Sequence, residues 1–241
     1  MNRTPPEIAS AALRMAQRSI DPIDLSWLDA EHKRDSWTLA DDTLRLVASV
    51  VALIRPRRVL EFGSGVSTRL LASSCAGLAE PATVVAIESG PFFERQTREQ
   101  LSRDPVSGSV HVELTHLVSR RWYGRNVPVY DLPATIVGGP RPQLVLVDGP
   151  PLPLGGRHGS LLQAVHLGEA GTVVLLDDAD RPSERTALTL AEKVFGDRIE
   201  VLHLAGFAKG LAAIVVRCEV GGSAMPPVNL GRVDVSGNGR E

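Results

Sequence analysis

Acidic side chains follow two apolar runs in the second half of the chain, at the point where each run ends. Asp148 comes directly after residues 144–147, and Asp177 and Asp178 come after residues 173–176. If both runs are strands of one parallel sheet, their carboxyl ends meet at one edge, where open α/β folds bind ligands. Clustered carboxylates repel one another unless a cation lies between them, and oxygen ligands suit Mg²⁺, Mn²⁺ and Ca²⁺. The spacing predicts a metal site at this edge.

A metal-free interpretation of the same aspartates stays open. Asp148 would then face a cationic ligand, Asp177 would cap the next helix, and Asp178 would pair with Arg181 or Arg185. Acids at strand ends are common as helix caps and ion-pair partners.

A glycine-containing loop, VLEFGSGVST, is the second chemical feature. Its Gly-Ser-Gly residues 63–65 follow a predicted strand and precede a helix that begins near Ser67. Small residues let a ligand approach the backbone, and helix N–H groups favour a carboxylate or phosphate. The dinucleotide fingerprint needs a third glycine where this sequence has Thr68, which disfavours a nicotinamide cofactor.

Two glutamates sharpen this interpretation. Glu61 lies just before the loop, where its charge repels pyrophosphate and attracts an ammonium or sulfonium group. Glu88 ends the next predicted strand, where a carboxylate can accept both hydroxyls of a ribose. The pair favours a cofactor that carries a nucleoside and an amino-acid group. The alternatives are an ordinary glycine turn and a solvated acid.

The elements that would position these residues alternate between strands and helices. Strands are predicted at residues 58–62, 83–87, 109–114, 144–147, 172–176, 200–204 and 211–217. Apolar strands joined by helices indicate a parallel sheet covered on both faces, and the six-residue link between the last two strands indicates an antiparallel pair. The prediction is an α/β fold with a seven-stranded, mostly parallel sheet and a C-terminal β-hairpin.

The chain organisation and composition exclude several classes. Residues 1–36 are predicted as an accessory segment, 37–218 as the cofactor-binding domain and 219–241 as a flexible tail; residues 119–142 are predicted as a long lid or binding loop. A net charge of -2 disfavours nucleic acid, and no apolar stretch could span a membrane. With two cysteines, we expect a cytoplasmic protein. A homodimer stays open.

Residues 37–217 resemble the class I S-adenosylmethionine-dependent methyltransferases through these motifs. The resemblance implies a Rossmann-like sheet, with the glycine loop and following serine holding the methionine part of S-adenosyl-L-methionine and the acid of the second strand holding its ribose. The cofactor-binding residues predicted in this way are Trp37, Glu61, Gly63, Ser64, Gly65, Ser67, Thr68, Glu88, Ser89 and Asp148.

The aspartates resemble those of metal-dependent O-methyltransferases, such as enzymes acting on catechols and caffeoyl-coenzyme A. This implies methyl transfer to a hydroxyl of a small molecule (a secondary metabolite, sugar or phenol), with Mg²⁺ held by Asp148, Asp177 and Asp178. The sequence departs from the catechol type, because Gly149-Pro150-Pro151 stands where a catalytic lysine would lie. N-methyl transfer, aminopropyl transfer and a noncatalytic nucleoside-binding role remain alternatives.

His158 and Asp148 are the predicted catalytic residues. His158 follows Asp148 on the loop into the next helix, and an imidazole with a pKa near 6.5 suits the removal of a proton from the acceptor. An exposed histidine at a helix start is the alternative interpretation. Lys209 is a second candidate base.

Overall fold

The structure is a computed structural model that describes residues 3–19, 24–29, 38–103, 109–122 and 124–219. Trp37 and nearly all of the predicted tail at 219–241 lie outside these residues. Among the described residues, no helix combines the length and apolar character of a membrane span.

Nine strands and eight α-helices make up the described chain. The strands are β1 (Arg58–Phe62), β2 (Thr83–Glu88), β3 (Val110–Leu114), β4 (Leu117–Trp122), β5 (Arg125–Tyr130), β6 (Leu144–Val147), β7 (Val173–Asp177), β8 (Ile199–Leu204) and β9 (Leu211–Val216). The helices are α1 (Pro5–Arg18), α2 (Ser26–Asp29), α3 (Asp41–Ile54), α4 (Val66–Ala76), α5 (Pro91–Leu101), α6 (Ala134–Val137), α7 (His158–Leu167) and α8 (Pro182–Phe195).

Seven of the strands form one sheet in the order β3-β2-β1-β6-β7-β9-β8. The first five of these pair in parallel, and β9 runs antiparallel to both β7 and β8. Every residue of β6, β7 and β9 is buried, as expected for strands covered on both faces. The predicted sheet and its C-terminal antiparallel pair are confirmed.

Each face of the sheet has its own apolar core. Residues of α7, α8 and the β4–β5 pair cover one face, and residues of α1, α3 and α4 cover the other. Leu13 and Ala16 of α1 are fully buried. The N-terminal segment, predicted as accessory, therefore contains a helix that forms part of the core.

The segment predicted as a long loop contains a β-hairpin instead. Strands β4 and β5 pair from Leu117 opposite Tyr130 to Trp122 opposite Arg125. The side chain of Gln163 in α7 accepts a hydrogen bond from the Tyr130 N–H at 3.0 Å and donates to its carbonyl at 2.8 Å. A Cβ on Gly159 would lie 1.9 Å from the Pro128 carbonyl oxygen, so glycine permits this close contact between helix and hairpin. The hairpin therefore packs tightly against α7.

Candidate active site

The carboxyl ends of β1, β2 and β6 are joined by backbone hydrogen bonds around Gly63. The Gly63 N–H donates to the carbonyl of Ile87 at 2.8 Å, and the Gly149 N–H donates to that of Phe62 at 2.7 Å. Gly63 has φ +102°, and a Cβ there would lie 3.3 Å from the Gly149 nitrogen. A glycine is needed because the left-handed backbone and the neighbouring turn both exclude a side chain.

Thr68 ties the loop to the acid before it. Its hydroxyl accepts a hydrogen bond from the Gly65 N–H at 2.9 Å and donates one to Glu61 Oε2 at 2.7 Å. A third glycine at this position could make neither bond. The departure from the dinucleotide fingerprint therefore has a structural role in the loop.

Glu61 is a fully buried acid with one unsatisfied oxygen. Its Oε1 has no hydrogen-bond partner among the described residues. Burial raises the pKa of Glu61 to about 8; the hydroxyls of Ser67 and Thr68 oppose this shift, and the charges of Asp148 and Glu88 add to it. An ammonium group or N–H donor of a ligand would satisfy such an oxygen, because a buried unpaired carboxylate is costly.

Glu88 connects the loop to the end of β2. Its Oε1 accepts hydrogen bonds from the N–H groups of Ser89 and Gly90, both at 2.7 Å, and its Oε2 accepts one from the Ser64 hydroxyl at 3.1 Å. Burial raises the pKa of Glu88, although these hydrogen bonds counteract the shift. The structure therefore brings the predicted residues Ser64, Glu88 and Ser89 together.

Asp148, Asp177 and Asp178 converge at the ends of β6 and β7, and we call them the aspartate cluster. One carboxylate oxygen of each lies within 4.8 Å of the other two. Arg157 NH2 donates to Asp148 Oδ1 at 2.6 Å, and Arg157 NH1 lies 2.8 Å from Asp178 Oδ2. Arg181 NH1 lies 2.8 Å from the same Asp178 oxygen. The pairing of Asp178 with Arg181 was one of the open alternatives.

Asp177 and Asp178 each have an unusual feature. Asp177 Oδ1 has no hydrogen-bond partner among the described residues, and burial, together with the charges of Asp148 and Asp178, raises the pKa of Asp177 to about 7, against the opposing charge of Arg157. Asp178 has φ 56°, a left-handed conformation that is uncommon outside glycine. Such backbone strain is concentrated at functional sites.

The two candidate bases occupy different surroundings. His158 is half-buried and is the first residue of α7, next to Arg157. Lys209 Nζ donates a hydrogen bond to the carbonyl oxygen of Thr38 at 2.7 Å, which links the turn before β9 to the segment before α3. The role of His158 as a base stays a prediction.

Sequence reasoning missed two residues of this edge. Arg157 was overlooked although it lies in the same GGRHG segment as His158, nine residues after Asp148. Tyr130 had been assigned to the lid; its ring lies 5.3 Å from that of Phe62, and burial raises the pKa of its phenol well above the usual range. A Cβ on Gly149 would lie 2.6 Å from the Tyr130 hydroxyl, so this aromatic lies directly against the turn after β6.

Known proteins resemble this chain in structure and not in sequence. No family model and no curated protein matches the sequence. An O-methyltransferase from Bacillus cereus, solved with SAH, aligns with a TM-score of 0.59 at 17% identity and covers 86% of this chain and 99% of its own. A methyltransferase from Podospora anserina, also SAH-bound, gives 0.57 at 17% identity over 86% of this chain and 88% of its own.

A third structure extends the same likeness. The O-methyltransferase TomG from Streptomyces achromogenes, involved in tomaymycin synthesis and solved with SAM, gives a TM-score of 0.52 at 18% identity, covering 83% of this chain and 98% of its own. The likeness therefore spans most of each protein. Together with the sheet order and the loop after β1, it shows that the fold of this chain is that of the class I S-adenosylmethionine-dependent methyltransferases.

Proposed function

We propose that this protein is an S-adenosylmethionine-dependent methyltransferase that acts on a hydroxyl of a small molecule, such as a secondary metabolite, sugar or phenol. The observation that carries the proposal is the pair of buried acids, Glu61 and Glu88, on either side of a glycine loop at the carboxyl edge. The three structures of the same fold were solved with SAH or SAM, which supports this choice of cofactor.

The residues at this edge offer complementary groups for such a cofactor. Glu61 would bind its ammonium group through the unpaired Oε1, and Glu88 would accept the ribose hydroxyls. Backbone N–H groups at the start of α4, near Ser67, would face its carboxylate. When bound, S-adenosylmethionine supplies an electrophilic methyl group activated by its sulfonium.

The acceptor must lose a proton as its oxygen gains the methyl group, and we assign this proton to His158. The histidine begins α7, within ten residues of Asp148, and an imidazole titrates in the range that general-base catalysis needs. A His158→Asn variant should retain cofactor affinity but lose turnover and the acidic limb of the pH–rate profile. An unchanged profile would remove His158 from this role.

Mg²⁺ assistance, expected from the sequence, does not fit the arrangement of the aspartate cluster. The three carboxylates have the chemistry of a divalent site, and Asp177 Oδ1 has no hydrogen-bond partner within the described part of the chain. However, the guanidinium of Arg157 already contacts the carboxylates of Asp148 and Asp178. The proposed reaction therefore uses no metal ion.

Calorimetry with S-adenosylmethionine, S-adenosylhomocysteine and NAD⁺ tests the cofactor. We expect binding of the first two only, and binding of NAD⁺ alone would overturn the proposal. Incubation with methyl-labelled cofactor and a panel of phenols, sugars and amines then tests the chemistry. Label on oxygen is expected; label on nitrogen would redirect the proposal to N-methyl transfer. Tight binding without turnover would indicate a noncatalytic role, and product formed only from the decarboxylated cofactor would indicate aminopropyl transfer.

A further inference from the structure

We propose that the guanidinium of Arg157 takes the place of a divalent cation in the aspartate cluster, so that the cluster is neutralised from within the chain and binds no metal ion. This inference concerns cation binding by the protein alone. It does not depend on which acceptor is methylated, and its test uses neither cofactor nor acceptor.

Arg157 contacts carboxylate oxygens of two of the three aspartates that a metal ion would need as ligands. Its NH2 and NH1 groups lie 2.6 Å and 2.8 Å from Asp148 Oδ1 and Asp178 Oδ2. Mg²⁺ or Ca²⁺ would need carboxylate oxygens at about 2.0–2.6 Å. An ion bridging the same two oxygens would overlap the guanidinium and be repelled by its charge. These two oxygens can therefore hold the arginine or the ion, and not both.

Arg157 also makes bonds that a metal ion would not replace. Its Nε donates to the carbonyl oxygen of Asp148 at 2.8 Å, and its NH1 donates to that of Asp177 at 2.7 Å. A planar guanidinium offers five N–H donors in a fixed fork, so one side chain can hold the ends of β6 and β7 together while neutralising their acids. Arg157 is thus a positioning residue for both strand ends.

The start of α7 keeps this side chain in place. The Arg157 side chain is only 6% exposed, so it is packed and does not extend into solvent. Three residues later, the Ser160 hydroxyl donates to the Gly149 carbonyl at 2.6 Å, which fixes the start of α7 against the turn after β6. Arg181, which also contacts Asp178, is 45% exposed. The inner arginine is therefore the one that fills the cation position.

A Mn²⁺ binding measurement on the purified protein tests the proposal directly. Binding is detected as a loss of the free-ion signal in electron paramagnetic resonance. We expect no saturable binding by the wild-type protein at millimolar ion, and no change in its melting temperature with Mn²⁺ or EDTA. Arg157→Ala should gain one saturable Mn²⁺ site and a melting temperature that rises with the ion. Adding Asp178→Asn to that variant should abolish both gains.

Conservative variants keep the result interpretable if Arg157→Ala folds poorly. Arg157→Gln removes the charge but keeps most of the volume, and should also gain the ion site. Arg157→Lys retains the charge and should not. Arg185→Ala, which removes an exposed partner of Asp180, is the matched control and should behave like the wild type. Stoichiometric Mn²⁺ binding by the wild type that Asp177→Asn abolishes would overturn the proposal, as would failure of both neutral variants to bind the ion.

Discussion

The two halves of the carboxyl edge stabilise buried negative charge in opposite ways. At β1 and β2, the hydrogen bonds described for Glu61 and Glu88 come from neutral hydroxyl and N–H donors. At β6 and β7, Asp148 and Asp178 are paired with guanidinium groups. The acids of the first half can be paired with a cationic or hydrogen-bonding group of a ligand. The acids of the second half are already paired with arginine side chains of the protein.

The contrast between the two halves predicts where a positively charged ligand should bind. A buried acid without a cation favours its protonated form, so it gains most from a cationic ligand. An acid already paired with arginine gains little from a second cation, and removing the arginine exposes the full cost of the buried charge. In the protein without ligand, removing the charge of a buried acid at β1 should therefore relieve a cost to folding, whereas removing the arginine at β6 and β7 should lower the free energy of unfolding.

The largest effect is expected at Arg157. Its replacement by alanine leaves Asp148 without its guanidinium partner and Asp178 with Arg181 alone. Removing one partner of a buried ion pair typically costs about 3–5 kcal/mol. We expect the free energy of unfolding, measured by urea denaturation, to fall by that amount. Arg185→Ala, at an exposed ion pair, should change it by less than about 1 kcal/mol. A similarly small change for Arg157→Ala would erase the distinction between the two halves.

The acid at β1 should make stability depend on pH. Its folded pKa of about 8 lies above its ordinary value of 4.5, so the folded state binds more protons between these values. This contribution to stability is complete below pH 4.5 and is lost as the pH rises through about 8, with a slope of at most about 1.4 kcal/mol per pH unit. Glu61→Gln should flatten this part of the profile in denaturation series at several pH values. An unaltered slope in the variant would assign it to other groups.

The acid at β2 should matter more for ligand binding than for folding. Glu88→Gln keeps the size of the side chain but loses the charge that would accept two ribose hydroxyls. Charged hydrogen bonds contribute about 1.5–3 kcal/mol, so affinity for S-adenosylhomocysteine should fall about 10- to 100-fold by calorimetry. Glu99→Gln, at an exposed position on α5, serves as control and should bind normally. Equal affinities in both variants would contradict the ribose assignment.

The smallest effect is expected from the hydroxyl that joins the loop to Glu61. Thr68→Val has nearly the same shape but cannot bond Gly65 or Glu61, and should lower the free energy of unfolding by about 1–3 kcal/mol. Thr68→Ser retains the hydroxyl and should lose clearly less. If the valine and serine variants unfold at the same urea concentration, the two hydrogen bonds do not support the loop.

Much of the fold could be predicted because its strands are locally distinctive. The apolar runs of β6, β7 and β9 are bounded by polar residues, charged residues or glycine, and their burial on both faces follows from their apolar composition. The β4–β5 hairpin was missed because arginines and Pro128 obscure its strand pattern. Its apolar residues Trp122, Val127 and Val129 become recognisable as core once α7 packs against them.

The site shows the same division between local and long-range information. The placement of Glu61, Ser64 and Glu88 at one edge of the sheet could be predicted, because each lies at or next to a strand end that the sequence pattern predicts. The role of Arg157 could not, since its contacts with Asp148 and Asp178 depend on how α7 begins and how β6 and β7 lie side by side. Charges and spacing alone do not decide whether a metal ion or an arginine lies between the three aspartates.

The strand order also constrains how the protein is made. Strand β9 is the last described strand to be synthesised, yet it lies between β7 and β8 inside the sheet. Until residues 211–216 leave the ribosome, the apolar strand β7 has an open edge, and β8 has no place in the sheet. Such edges are sites of aggregation in unfinished chains. An unfinished chain therefore exposes this apolar edge until residues 211–216 have been synthesised, and the seven-stranded sheet can be completed only then.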